Sequence, residues 1–247
     1  FMATQFEEFN CDATVMFTAS HLPYYYNGLK FFTREGGLES SDIRDIIALV
    51  DEKEELPQGS VSTIEVKSIF ERYSRHLVEL IRKGSQSEKE KPLEGLHIIV
   101  DAGNGAGGFF AKSVLEELGA KTEGSQFLDP DGAFPNHIPN PDNKEAMESI
   151  KKQVLAVNAD YGVIFDTDVD RAAVVTGSEE LLNRNNLIAV LSVIVISEHP
   201  GTTIVTNSPT TEHLKKFIMK LGGHQYRYIS GYRNVINKAI EIGRASC

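Results

Sequence analysis

Three aspartates at alternating positions, Asp166, Asp168 and Asp170, sit in the segment "DTDVDR" directly after the apolar run "YGVIF". Carboxylates this close repel one another unless a cation lies among them. An all-oxygen ligand set suits a hard ion, Mg2+ ahead of Ca2+ where a phosphate shares the site. Arg171, at the end of the segment, can hold a phosphate oxygen or pair with one of the acids. A second group lies far away in the chain, in "TASHLPYYYNGLKFF" (Thr18 to Phe32). There the apolar run Ala13 to Phe17, read as a buried strand, opens onto Ser20 and His21, and Lys30 brings a cation back. No G-x-S-x-G elbow surrounds Ser20, and an adjacent histidine is badly placed to take its proton. The arrangement fits a serine that carries a phosphoryl group. His21 and Lys30 would then lie near the phosphate oxygens, with the acidic cluster holding a metal on it.

Other chemistries fit these segments less well. An EF-hand needs glycine at the sixth loop position and glutamate at the twelfth, where this chain has Arg171 and Gly177. An aspartyl-phosphate phosphatase would use Asp166 as nucleophile, but usually has Thr or Val where Asp170 stands. "DAGNGAGG" (Asp101 to Gly108) contains G-x-G-x-x-G between a strand and a helix. As a dinucleotide fingerprint it would call on Glu123 for the ribose, at the end of a weak strand. It is read instead as a tight turn that needs glycine for backbone reasons. "FPNHIPNP" has the composition of a rigid extended loop, in which His137 is read as structural or solvated.

The elements that must position these groups alternate in type. Strand-length apolar runs are separated by amphipathic stretches such as "SDIRDIIALVDEKEEL" and "STIEVKSIFERYSRHLVELIRK". Asp142 and Glu145 are read as a capping box for a helix reaching about Asn158. The fold class expected is α/β: successive α/β domains with mixed or parallel sheets. Linker composition in "GSQSEKEKP" places a boundary near Glu90, and a second is set near Leu181, giving domains 1–90, 91–181 and 182–247. A chain of 247 residues can bury a sizeable core, and 41% hydrophobic content is ordinary for a globular protein. Its net charge of −10 argues against a nucleic-acid surface. No window approaches the roughly 18 apolar residues of a membrane span. Cys11 and Cys247 give no disulfide framework, so a reducing, intracellular setting is expected, cytoplasmic with an organelle as the alternative.

Taken together, the motifs resemble those of the α-D-phosphohexomutase family, the phosphoglucomutase and phosphomannomutase group. "TASHLPYYYNGLKFF" is similar to its phosphoserine loop, Thr-Ala-Ser-His-Asn-Pro followed by Tyr-Asn-Gly-x-Lys. "FDTDVDR" is similar to its metal loop, Asp-Gly-Asp-x-Asp-Arg. "VDAGNGAGG" and "FPNHIPNP" match its second domain, in the expected order. The resemblance implies Ser20 as phosphoserine, with Asp166, Asp168, Asp170 and the Ser20 phosphate as ligands of Mg2+. It places His21, Lys30 and Arg171 beside them. The activity implied is interconversion of glucose or mannose phosphates through a bisphosphate. A non-catalytic sugar-phosphate-binding relative and an aspartyl-phosphate phosphatase are the alternatives. Leu22, Thr167 and Arg184-Asn185 depart from the family pattern, at positions where it has Asn, Gly and Gly-Asp. The family's first strand would precede Phe1, and its sugar-reading loop and fourth domain would follow Cys247. The chain is therefore read as an internal fragment, inactive alone.

Overall fold

The computed structural model describes residues 2–5, 9, 11–51, 64–85, 87–178, 180–243 and 245–246. The helical stretch expected over residues 52–56, and the start of the next at 62–63, lie outside the described residues. Contacts divide the chain into two compact units, Phe1–Ala172 and Ala173–Cys247.

The first unit opens with a short helix, α1 (Met2–Gln5), and an antiparallel sheet in the order β1 (Ala13–Phe17), β2 (Leu29–Thr33) and β3 (Gly36–Gly37). Phe17 faces Leu29 across the pair, so residues 18–28 form a loop hung from a hairpin. Thr18 N–H donates to the Gly28 carbonyl (3.0 Å) and closes its neck. Only glycine fits there, because a Cβ on residue 28 would lie 2.3 Å from the Thr18 carbonyl oxygen. The expected strand at Ala13–Phe17 forms, but it is not buried: Phe17 is 80% exposed. Among the described residues β1 pairs on one edge only, with β2, and α1 is too short to cover a sheet face.

Helices α2 (Ser40–Asp51) and α3 (Phe70–Gly84) follow. The helix expected from Ser62 starts eight positions later than the sequence pattern suggested, at Phe70. Ile64 and Val66 alternate with Glu65 and Lys67 in a non-helical segment, a pattern of β-branched residues that favours extended backbone. Val78 of α3 packs on Val114 and Leu118.

Strands β4 (Ile98–Asp101) and β5 (Tyr161–Phe165) pair in parallel, with Asp101 opposite Ile164. Between them run a 3-10 turn (Ala106–Gly108), a π-helical stretch (Ala111–Glu116) and α4 (Lys144–Val157). Side chains alternate across the strands. Ile98, Val100 and Phe165 meet Ala111 and Leu115 on one face. On the other face Gly162 lies against Ile150 and Val154 of α4, too close for any side chain. The residue capping α4 is Asn143, which accepts from the Glu145 and Ala146 N–H groups. The cap expected at Asp142 is displaced by one position, because Asn143 has the extended backbone of an N-cap (φ −79°, ψ 128°).

All but the first residue of β6 (Ala172–Thr176) belongs to the second unit, where it pairs with β7 (Leu181–Leu182) and is followed by α5 (Arg184–Glu198). Next come β8 (Thr203–Asn207), α6 (Glu212–Lys220), β9 (His224–Tyr228), α7 (Tyr232–Glu241) and β10 (Ala245–Ser246). The last three strands form a parallel sheet in the order β10-β8-β9. Ile204 packs with Ile196, Leu214 and Ile218, while Val205 packs with Val235 and Ala239. The α/β class with parallel and mixed sheets is therefore the one observed. Among the described residues no helix is long and apolar enough to cross a membrane.

Candidate active site

The acidic segment is a tight return at the end of β5. Asp166 N–H donates to the Arg171 carbonyl (3.1 Å), and Val169 N–H to the Asp166 carbonyl (3.3 Å). Val169 stands at φ 63°, an outlier for a β-branched residue that costs about 1–3 kcal/mol. Thr167, where the resembling family has glycine, is not the left-handed residue of this loop. The substitution noted in the sequence therefore falls where glycine's freedom is not used. One oxygen from each of Asp166, Asp168 and Asp170 lies within 4.8 Å of the others. Asp166 is fully buried, and Asp168 Oδ1 is a buried oxygen with no hydrogen-bond partner among the described residues.

The glycine turn supplies the bed for this loop. Ala106 N–H donates to the Thr167 carbonyl (2.9 Å), and a Cβ on residue 105 would lie 2.8 Å from Thr167 Cα and O. Its glycines allow a close approach of two backbones, which agrees with the structural reading of "DAGNGAGG".

The serine loop meets the acids from the other side. Ser20 is itself left-handed (φ 55°), and its N–H donates to Thr18 Oγ1 (2.9 Å). Thr18 Oγ1 in turn donates to Asp168 Oδ2 (2.8 Å). Arg171 Nη2 reaches Ser20 Oγ at 2.9 Å, Asp166 Oδ2 at 2.8 Å and His21 Nδ1 at 2.7 Å. A guanidinium can only donate, so His21 Nδ1 accepts and the ring proton belongs on Nε2. Ser20 Oγ lies 3.4 Å from both His21 Nδ1 and Asp166 Oδ2. With Nδ1 occupied by Arg171, His21 is poorly placed to take the serine proton through that nitrogen. Lys30 Nζ stands 3.4 Å from Asp168 and 3.5 Å from Asp170.

Among the described residues two cations therefore face three carboxylates, which leaves one negative charge over. Burial pushes the Asp168 carboxyl up, but the Thr18 hydroxyl and the Lys30 charge hold it below the usual range. Asp166 is pushed up, mainly by burial and further by Asp170, against the opposing hydrogen bonds of Arg171. Burial opposes the charge on Lys30, yet Asp168 and Asp170 outweigh it and raise its pKa. A partnerless buried oxygen among three carboxylates fits a hard cation bound through oxygen. Asp166, Asp168 and Asp170 are the residues that would hold it.

All seven residues singled out from the sequence (Ser20, His21, Lys30, Asp166, Asp168, Asp170 and Arg171) come together here. Three contributors were not. Thr18 bridges the two loops, and Asn140 accepts from Arg171 Nη1 (3.1 Å). Asp101 is fully buried and takes His137 Nε2 at 3.0 Å on both oxygens. His137 is thus a buried structural partner.

An α/β/α scaffold that brings a loop serine onto a carboxylate triad defines a class, and comparison with known proteins gives its family. The family model described as phosphoglucomutase/phosphomannomutase, alpha/beta/alpha domain II, matches residues 71–179, and that for domain I matches residues 1–57. The chain belongs to this phosphoglucomutase/phosphomannomutase family. It is 30% identical over 230 residues to a phosphomannomutase/phosphoglucomutase of Pseudomonas putida, covering 93% of this chain and 47% of that protein. It is 32% identical over 247 residues to a phosphoglucosamine mutase of Sulfurovum sp., covering 96% of this chain and 53% of that one. A crystal structure of a family protein from Burkholderia thailandensis superposes with a TM-score of 0.81 at 27% identity, covering 94% of this chain and 48% of that chain. The chain spans about half the length of the curated relatives it matches.

Proposed function

We propose that this chain carries the phosphoryl-transfer centre of a phosphohexomutase, with Ser20 as the phosphate carrier. The observation that supports it is Ser20 Oγ held by Arg171 at 2.9 Å and facing the triad at 3.4 Å. In transfer to a sugar, a P–O bond forms to the sugar hydroxyl as the P–Oγ bond breaks. The hydroxyl's proton ends, in net terms, on the serine oxygen. Arg171 stabilises the charge that develops on Oγ, and Thr18 fixes the loop against Asp168. Mg2+, the ion assigned to Asp166, Asp168, Asp170 and the Ser20 phosphate, would neutralise phosphoryl charge when bound. With the charge of Asp168 and Asp170 taken up by the ion, Lys30, which pairs with both acids, would turn to a phosphate oxygen.

The substrates proposed are glucose or mannose phosphates, whose 1- and 6-phosphates exchange through a bisphosphate. The domain assignment proposed is 1–90, 91–181 and 182–247. For these 247 residues the reaction proposed is uptake of phosphate on Ser20 from a hexose bisphosphate. Turnover of a hexose monophosphate by them alone is expected to be undetectable, because both ends of the substrate must be held. An aspartyl-phosphate phosphatase fits less well: Asp166 is buried and engaged by Arg171 through Nε (2.9 Å) and Nη2. Incubation with glucose 1,6-bisphosphate and Mg2+, followed by mapping of the modified residue by mass spectrometry, is the test. Phosphoserine at Ser20 is the result expected. Phosphate on Asp166 would favour the phosphatase, and no phosphate a binding protein.

A further inference from the structure

The loop "FPNHIPNP" ends in a contact that its composition does not announce. Arg171 uses Nε for Asp166, and Nη2 for Asp166, Ser20 and His21. Its remaining nitrogen, Nη1, donates to Asn140 Oδ1 at 3.1 Å. A fork held on one edge alone can still swing about its long stem. A second anchor fixes where Nη2 points.

Asn140 is itself fixed. Its N–H donates to the Ile138 carbonyl (2.8 Å), its carbonyl accepts from Asn143 N–H (2.8 Å), and Oδ1 also accepts from Asp142 N–H (3.0 Å). Three residues back, His137 is buried with Nε2 at 3.0 Å from both Asp101 oxygens, while Nδ1 lies 3.1 Å from the Ile138 carbonyl. The glycine turn closes against the same loop: a Cβ on residue 103 would lie 2.7 Å from Pro139 Cβ and 3.0 Å from His137 Cε1. One turn therefore backs the metal loop through Gly105 and the Asn140 loop through Gly103.

We propose that Asn140 is a positioning residue for Arg171, and that the buried Asp101–His137 pair holds Asn140 in place. Its effect on chemistry rests on Ser20 as the phosphate carrier, but the placement of the guanidinium does not. Asn140→Leu removes the acceptor at similar size, whereas Asn140→Asp keeps an acceptor oxygen. The rate of phosphate uptake on Ser20 from glucose 1,6-bisphosphate should fall about 10- to 100-fold in Asn140→Leu, as for other loosened supporting groups. Most of it should return in Asn140→Asp. The second readout is the Arg171 Nε–H signal in 15N spectra, assigned with Arg171→Lys. Its exchange with water should quicken in Asn140→Leu and stay slow in Asn140→Asp.

Thermal unfolding checks that each variant is folded, and Asn140→Ala replaces Asn140→Leu if the latter does not fold. An unchanged Arg171 signal in the folded variant overturns the proposal, as does a loss of rate that Asn140→Asp leaves unrepaired. If the parent chain takes up no phosphate yet Asn140→Leu frees the Arg171 signal, the carrier reading fails and the positioning role stands.

Discussion

Two neighbouring parallel strands end in the same way and lead to different outcomes. β4 closes on Asp101 and β5 runs into Asp166, and both carboxylates are wholly buried. Asp101 is fully engaged, by Gly103 N–H (2.9 Å), Gln126 Nε2 (2.7 Å) and His137. Its partner His137 is buried as well, so among the described residues nothing is left to offer a ligand. Asp166 is paired with an arginine whose side chain is about one-third exposed and whose other donors reach Ser20. Beside it Asp168 keeps an oxygen that has no partner among the described residues. A buried acid at a strand end is thus closed off or left open to a ligand according to whether its partners are used up.

The comparison can be broken at either strand, and the effects differ in kind. The largest is at the reactive end: Ser20→Ala should remove phosphate uptake from glucose 1,6-bisphosphate altogether, measured by intact mass. Next comes the closed end. Asp101→Asn leaves His137 buried without its counter-charge and should cost about 3 kcal/mol. Thermal unfolding should fall by about 6–12 °C. Mg2+ affinity should stay close to the parent's, since Asp101 is not one of the ligands.

Asp168→Asn should do the reverse, weakening Mg2+ binding by about 10- to 100-fold in calorimetry, on the order of 1.4–2.8 kcal/mol. The melting temperature should move by less than about 3 °C, because a repelling charge is lost along with a hydrogen-bonded one. Equal binding by the parent and the variant would remove the triad as the metal site.

The smallest effect is a pH slope. Burial disfavours protonated His137, but the hydrogen bonds and charge of Asp101 outweigh it and raise its pKa above 6.5. A group raised on folding stabilises most below its unfolded value and loses that contribution as pH rises through the folded one. Stability of the first unit should therefore decline on the alkaline side of 6.5. Asp101→Asn should flatten that slope, and an unchanged slope would show that the pair is not its source.

What could be read beforehand was chemistry written in contiguous residues. Three aspartates at alternate positions, and a serine on a loop after a strand, carry their signals locally. The contacts that support them span long separations: Thr18 to Asp168, and Asn140 to Arg171. No local pattern announces such pairs. The choice between Asp142 and Asn143 as helix cap is decided by backbone angles that either residue type tolerates. The run Ala13–Phe17 gives a strand by its composition, but whether another layer covers it depends on the rest of the unit. Nothing in the residue types marks Val169 as left-handed, since valine is among the least expected there.

Ser20 and Asp166 are 146 positions apart, and that spacing acts before the protein is complete. At synthesis rates of about 5–20 residues per second, the serine leaves the ribosome roughly 7–30 s ahead of the acids and arginine that meet it. Through that interval the nascent chain holds a hydroxyl with no carboxylate triad and no guanidinium beside it. A message cut anywhere between the two codons yields a serine loop that never meets those acids, so the phosphate uptake proposed above has to wait until translation has passed Arg171.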